Sequence, residues 1–328
     1  PPMQEVEQHE IQNLVNAVHA RYLEDHSGEV ATYIPELGKA DPRHFGICLA
    51  TVDGQVFDAG DTSQLFTIQS ISKAFVFAMA IEEHGLEEVL RHVGVEPSGD
   101  AFNSIMLDEV TMRPFNPMVN AGAIATTALI GGATPEARFE NLRRTFSRAA
   151  GRELERDDAV FESERLTGHR NRAIAHLMLN FGMIPDRVDE ILDLYFSQCS
   201  LLVNAHDLAL MGATLANLGI NPVTGEHVFD VASVKYVLAV MLTCGMYDFS
   251  GEWAFRVGVP AKSGVAGGVL AVVNRQLGLG LYSPRLDSRG NSVRGFKACI
   301  EIADDLGLHA FDFLNVGSAF LQGMIKPD

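Results

Sequence analysis

A serine and a lysine stand three residues apart in Phe66-Thr67-Ile68-Gln69-Ser70-Ile71-Ser72-Lys73-Ala74-Phe75. A serine hydroxyl is a poor nucleophile until a base takes its proton, and a buried lysine can be that base because desolvation disfavours its charged form. Residues i and i+3 share one side of a helix, so the Ser70 Oγ and the Lys73 Nζ can meet, whereas Ser72 points away from Lys73. A second stretch, Lys262-Ser263-Gly264-Val265-Ala266-Gly267-Gly268, sets a lysine at the end of a strand, followed by small residues. There a ligand can approach backbone N–H groups that would face an oxyanion. Polar residues in unexpected places form a third group: Tyr33, Asn120, Glu164, Asn171, Tyr195 and Tyr247.

Each pattern also has a plainer origin. An S-x-x-K tetrad arises by chance, and a glycine cluster can be a strand bend. Asn120 suits the N-cap of the apolar helix that follows it, Glu164 a solvated surface, and Tyr195 the apolar face of Val188, Ile191, Leu192 and Cys199. What favours chemistry is the setting of Lys73. Apolar residues recur at Ile71, Ala74, Phe75, Ala78 and Met79, the spacing of a buried helical face, and Gly85 supplies a stop.

The elements that must position these groups fall into a clear order. Gln4 to Glu24 has helical spacing, and strands over Phe45 to Val52 and Gln55 to Asp58 flank Asp53-Gly54, a strong hairpin signal. Helices follow over Ala74 to His84, Asn120 to Ile130, Pro135 to Ala150, Gly168 to Phe181, Arg187 to Cys199, His206 to Asn217 and Val231 to Leu242. Strands are predicted over Phe255 to Pro260, Gly264 to Asn274 and Gln276 to Tyr282, then helices over Ser292 to Leu306 and Phe311 to Met324. Strands near both chain ends with helices between them imply one sheet built from both ends. The expected organisation is a discontinuous α/β sheet domain, 1–75 with 230–328, and an inserted helical domain, 76–229, with the active site at their interface.

Composition narrows the partners. A formal net charge of −17 in 328 residues repels nucleic acid and anionic lipid, and no apolar run approaches the roughly 18 residues a membrane span needs. Four scattered cysteines without a C-x-x-C pattern argue for reduced thiols in the cytoplasm rather than a disulfide frame or a zinc site. No basic region followed by an apolar core marks a secretory signal in the sequence shown.

Several blocks go beyond generic patterns. Tyr33-Ile34-Pro35-Glu36-Leu37, Gln69-Ser70-Ile71-Ser72-Lys73, Asn116-Pro117-Met118-Val119-Asn120-Ala121-Gly122-Ala123-Ile124, Ser163-Glu164-Arg165, Cys244-Gly245-Met246-Tyr247-Asp248-Phe249-Ser250-Gly251 and the Pro260 to Gly268 block together resemble the serine-dependent glutaminases. The resemblance runs from about Tyr33 to Ser292. It implies a β-lactamase-like fold, also that of penicillin-binding enzymes, and hydrolysis of L-glutamine to L-glutamate and ammonia without metal or organic cofactor. It further implies that Ser70 is the nucleophile, Lys73 its base and Tyr247 a second proton carrier, with the backbone N–H groups of Ser70 and Val265 holding the oxyanion. Tyr33, Gln69, Ser70, Asn120, Glu164, Asn171, Tyr195, Tyr247 and Val265 then become the substrate contacts, and the assembly a homodimer or homotetramer. Two other readings stand beside it. A penicillin-recognising hydrolase shares S-x-x-K and K-[ST]-G, but its S-D-N or Y-x-N motif has no match, since Asp248-Phe249 follows Tyr247. A non-enzymatic glutamine sensor is at odds with an intact Ser70, Lys73 and Tyr247.

Overall fold

The computed structural model describes residues 3–312. Its centre is a five-stranded antiparallel sheet of β1 (Gly46–Thr51), β2 (Val56–Gly60), β3 (Ala261–Ser263), β4 (Gly268–Val273) and β5 (Leu277–Tyr282), in the order β2-β1-β5-β4-β3. The fold is thus mixed α/β with strands drawn from both ends of the chain. The β1–β2 hairpin turns at Asp53-Gly54, where Gly54 takes φ +88°. β5 pairs with β1 along Gly46↔Tyr282 to Thr51↔Leu277 and with β4 along Gly268↔Tyr282 to Val273↔Leu277, joining the two halves of the sequence.

One face of the sheet is covered by the Met3–Tyr22 and Val293–Leu306 helices, around a core that includes Val15, Val18, Leu279, Leu281 and Ile302. The other face carries the Ala205–Ala216 helix, set directly on β5. A Cβ at Gly278 would lie 2.2 Å from the Ala213 nitrogen, and one at Gly280 would lie 2.1 Å from the Ala205 oxygen. Only glycine permits backbones to approach so closely. The Ser72–His84 helix shares a core with the Ala205–Ala216 helix, and its residues from Ser72 to Ile81 are all buried. A helix apolar on every side belongs in the middle of a protein, and this one is the spine of the largest core cluster. The remaining helices, Asn120–Thr127, His169–Asn180 and Val188–Cys199 among them, enclose a third cluster containing Ile124, Met178, Ile191 and Tyr195.

Three departures from expectation bear on the argument. Phe255 to Pro260 is not a strand: it is the end of a helix, Ser250–Arg256, and the bend after it. A short apolar run fits either state. Here Trp253 is fully buried and donates from Nε1 to the Val259 oxygen at 2.8 Å, Gly258 adopts φ +65°, and Phe255 points to solvent. The expected strand Gly264 to Asn274 begins only at Gly268, because Gly264 to Gly267 form a tight turn closed by Gly267 N–H to the Gly264 oxygen at 3.0 Å. A helix at Asp158–Thr167, capped by Asp157 accepting from the Val160 N–H, was not anticipated at all. The predicted helix Phe311 to Met324 lies outside the described residues from 313 onward. Among the described residues, no single helix is long and apolar enough to cross a membrane.

Candidate active site

Ser70 lies in a single 3-10 turn, Gln69–Ile71, that runs straight into the Ser72–His84 helix. The turn is held in an uncommon conformation, since Gln69 has φ +51° without being glycine. Such backbone strain persists where the surroundings fix it, often at functional sites. Here the surroundings include Thr67, whose Oγ1 accepts from Gln69 Nε2 at 2.9 Å, and Glu164, which the Gln69 side chain also reaches. Ser72 turns away as expected, its hydroxyl donating to the Gln69 oxygen at 2.6 Å.

Lys73 is fully buried one turn along. Its Nζ donates to Asn120 Oδ1 at 2.7 Å and to the Met118 oxygen at 3.3 Å, and it stands 5.8 Å from the centre of the Phe102 ring. Burial pulls its pKa down to about 8, opposed by the negative potential of Cys199 and Glu164. A lysine so placed exists in both protonation states near neutrality, which an ordinary surface lysine does not. Asn120 is not the cap it might have been by sequence. Val119 occupies that position, and Asn120, in the first turn of its helix, turns its amide inward. There its Oδ1 also accepts from the Tyr195 hydroxyl at 3.2 Å, and its Nδ2 donates to Asn171 Oδ1 at 3.1 Å. Lys73, Asn120, Tyr195 and Asn171 therefore form one connected network.

Tyr247 approaches from the opposite side, on a 3-10 turn of its own with φ +57°. Its hydroxyl donates to the Ser263 oxygen at 3.2 Å, and the Ser70 side chain is near enough to favour its ionised form. Burial pushes its pKa well up, so the phenol keeps its proton. The same Ser263 oxygen accepts from Lys262 Nζ at 2.7 Å, and that ammonium stands 4.4 Å from the centre of the Tyr247 ring. Burial and then the charge of Lys73 drive Lys262 well below the usual lysine range. Val265 follows in the tight turn, and Gly264 abuts the serine turn: a Cβ there would lie 3.0 Å from the Ile68 oxygen. The Lys262 strand thus forms the wall facing Ser70.

A cavity of about 270 Å³ opens beside Ser70 and is lined by Tyr33, Gln69, Ser70, Asn120, Glu164, Asn171 and Tyr195. Seven of the nine expected contact residues meet here; Tyr247 and Val265 are not among the residues that line it. Tyr195 serves both readings that its spacing allowed, being 3% exposed in the core and lining the cavity. Glu164 is not a solvated acid. It is 6% exposed, its Oε1 has no partner among the described residues, and burial raises its pKa to about 8. An unpartnered carboxylate oxygen facing a cavity suits a cationic group. The sequence did not point to Phe102, Cys199 or Arg170, which also line this space. Arg170 directly precedes Asn171 and donates from Nε to the Asn103 oxygen at 2.5 Å, bringing a guanidinium to the rim.

Comparison with known proteins extends this geometry to the whole chain. The family model described as glutaminase matches residues 28–311. A glutaminase of Trichormus variabilis is 58% identical over 303 residues, covering 92% of this chain and 91% of that protein. A glutaminase of Microcystis aeruginosa is 59% identical over 300 residues, covering 92% and 89% respectively. The solved structure of a probable glutaminase from Bacillus subtilis, complexed with 6-diazo-5-oxo-L-norleucine, aligns with a TM-score of 0.84 at 36% identity, over 92% of this chain and 96% of that one. These matches span nearly the full length on both sides and include every block around the serine, the lysines and the cavity: the chain belongs to the glutaminase family.

Proposed function

We propose that this protein hydrolyses the side-chain amide of L-glutamine to L-glutamate and ammonia through a γ-glutamyl ester on Ser70. What supports the mechanism is a buried lysine one helical turn from Ser70 with its pKa pulled down to about 8, together with a buried, protonated phenol, at the edge of a cavity lined by Glu164 with an unpartnered oxygen. Lys73 in its neutral form takes the serine proton as Oγ attacks the amide carbon. The oxyanion is held by the backbone N–H groups of Ser70 and Val265, where one donor contributes about 2.7–4 kcal/mol. The C–N bond then breaks, its electron pair stays on nitrogen, and Tyr247 supplies the proton that releases ammonia. Water adds to the ester carbon and gives a proton to the Tyr247 phenolate, the C–Oγ bond breaks, and the proton held by Lys73 returns to Ser70.

The far end of the substrate is an α-amino acid, and the cavity offers matching chemistry. Glu164 pairs with the α-ammonium. Tyr33, Asn120, Asn171 and Tyr195 offer phenol and amide groups to the α-carboxylate, with Gln69 fixing Glu164. On this reading the fold is β-lactamase-like, with a sheet lobe of 1–75 and 230–328 against a helical lobe of 76–229. Four free, buried cysteines accord with a reducing, cytoplasmic setting, and the working form is a homodimer or homotetramer. The test is ammonia release from L-glutamine, followed by acid quench and mass analysis of the Ser70 peptide. Wild type is expected to release ammonia and carry one γ-glutamyl group, and Ser70→Ala to do neither. Equal release by both proteins would refute the proposal.

A further inference from the structure

The catalytic groups lie between two cavities. Beyond the substrate cavity is a second space of about 160 Å³, and Phe102 belongs to the walls of both. The residues that handle protons are divided between them. Tyr247 and Met118 line the second space, while Ser70 and Asn120 line the first. Lys73 accordingly donates to both sides, to Asn120 Oδ1 at 2.7 Å and to the Met118 oxygen at 3.3 Å. The Tyr247 hydroxyl is near enough to Ser70 to feel its side chain, while its ring packs on Phe102, with centroids 4.8 Å apart.

This arrangement bears on a problem in the proposed reaction, on which the inference rests. In the acyl-enzyme the γ-glutamyl group is esterified to Ser70 and its α-groups are held by Glu164 and Asn171, so it fills the first cavity. Ammonia is released at the other end of the molecule, beside Tyr247, and the water that ends the cycle must reach the same carbon. By way of the first cavity, both would have to pass around the bound glutamyl group. We propose that the second space is the port by which ammonia leaves and water, or another small nucleophile, arrives while the glutamyl group stays in place.

The chemistry of its walls fits that traffic. Asn116 and Thr243 offer polar groups to water and ammonia, and the carboxylates of Asp100 and Asp248 stand at exposed positions that attract ammonium once it forms. The atoms balance without a further reactant. Breaking C–N with a proton from Tyr247 yields ammonia, and adding one water across the ester yields glutamate, restores the Tyr247 proton and returns the Lys73 proton to Ser70.

The port can be narrowed without touching the catalytic groups. Gly251 lies at its exposed edge, at the start of the Ser250–Arg256 helix, and a Cβ there meets nothing within 4 Å. In the intact protein, Gly251→Phe is expected to lower kcat for glutamine at least fivefold without raising KM, while Gly251→Ala behaves as wild type. Hydroxylamine, which intercepts acyl-enzymes as the hydroxamate, is expected to lose its trapping rate in parallel. Thr243→Phe narrows the same space from the Val231–Cys244 helix and stands in should Gly251→Phe fail to fold. An unchanged kcat and trapping rate in a folded narrowing variant overturns the port and leaves the glutaminase reading intact. A rise in KM overturns it too, because the substrate would then be using this side. If wild type itself releases no ammonia, the underlying reading falls and the port with it.

Discussion

Lys73 Nζ donates to Asn120 Oδ1 across 2.7 Å, linking the lysine one turn from Ser70 to the first turn of a helix 47 positions later in the chain. Because Tyr195 donates to the same oxygen and Asn171 accepts from the other end of the amide, the orientation of Asn120 is fixed from both sides. Hydrogen bonds to charged groups contribute about 1.5–3 kcal/mol. Asn120→Asp keeps the shape and places a carboxylate against the ammonium, which raises the Lys73 pKa from about 8. The expected outcome is a kcat at pH 7.5 reduced about tenfold or more, with the rising limb of kcat against pH moved at least about one unit alkaline. A kcat profile superimposable on that of wild type would remove Lys73 as the titrating base.

Glu164 leads to a separate pH dependence, read in KM rather than kcat. Its folded pKa is raised to about 8, so the carboxyl is protonated below that value and ionised above it. Only the ionised form pairs with an α-ammonium, so one proton must leave when substrate binds at neutral pH. KM is therefore expected to fall as pH rises toward 8, by up to about tenfold per unit well below it, and to level off above. Glu164→Gln should show a high KM that is flat over the same interval. It should also shift the kcat limb to lower pH, because the Glu164 charge supports protonated Lys73. A wild-type KM that does not vary between pH 6.5 and 8 would exclude Glu164 as the ammonium partner.

How far these features were legible in the sequence depended on the range of the interactions that fix them. The helix bearing Lys73 and the Asp53-Gly54 hairpin are set by neighbours along the chain, and both formed where their patterns placed them. Asn120 shows the limit. Its position before an apolar run fits a cap as well as a buried contact, and only Lys73 and Tyr195, arriving from other helices, decide the matter. Glu164 rides on the Asp158–Thr167 helix, which was not anticipated, and its burial depends on Gln69 and the elements packed around it. Phe102 and Arg170 carry no local pattern that distinguishes them from other loop or surface residues. Phe255 to Pro260 failed for the reverse reason: its residues favour a strand, and the burial of Trp253 overrides that preference.

Lys262 shares with Tyr247 a single acceptor, the Ser263 oxygen, and lies against the phenol ring. Its loss should reach the chemistry through Tyr247, without affecting how glutamine is held. Lys262→Met retains much of the apolar volume and is expected to lower kcat by about 10²-fold, within the usual contribution of a positioned acid or base, with KM within about twofold of wild type. Steady-state kinetics decide it. A variant that raised KM and left kcat intact would place Lys262 in substrate binding instead.

Gly264 separates the oxyanion role from simple packing. A Cβ on this residue would lie 3.0 Å from the Ile68 oxygen, 3.5 Å from Ile71 Cγ1 and 3.6 Å from Gln69 Cβ. The nearest of these contacts is tight and involves backbone, so the turn that carries Val265 must move away from the turn that carries Ser70. The shift needed is a few tenths of an ångström, small for the fold and large for the Ser70 and Val265 N–H groups if, as proposed, they converge on one oxygen. Removing one such donor outright costs about 10²–10³ in kcat. Gly264→Ala is therefore expected to lose at least about tenfold in kcat while its melting temperature falls by only a few degrees, as for a substitution of about 1 kcal/mol. Measuring both on the same preparation is essential, because a variant that melts far lower and loses activity in proportion would show that Gly264 serves packing alone. Full activity at an unchanged melting temperature would place the oxyanion donors somewhere other than Ser70 and Val265.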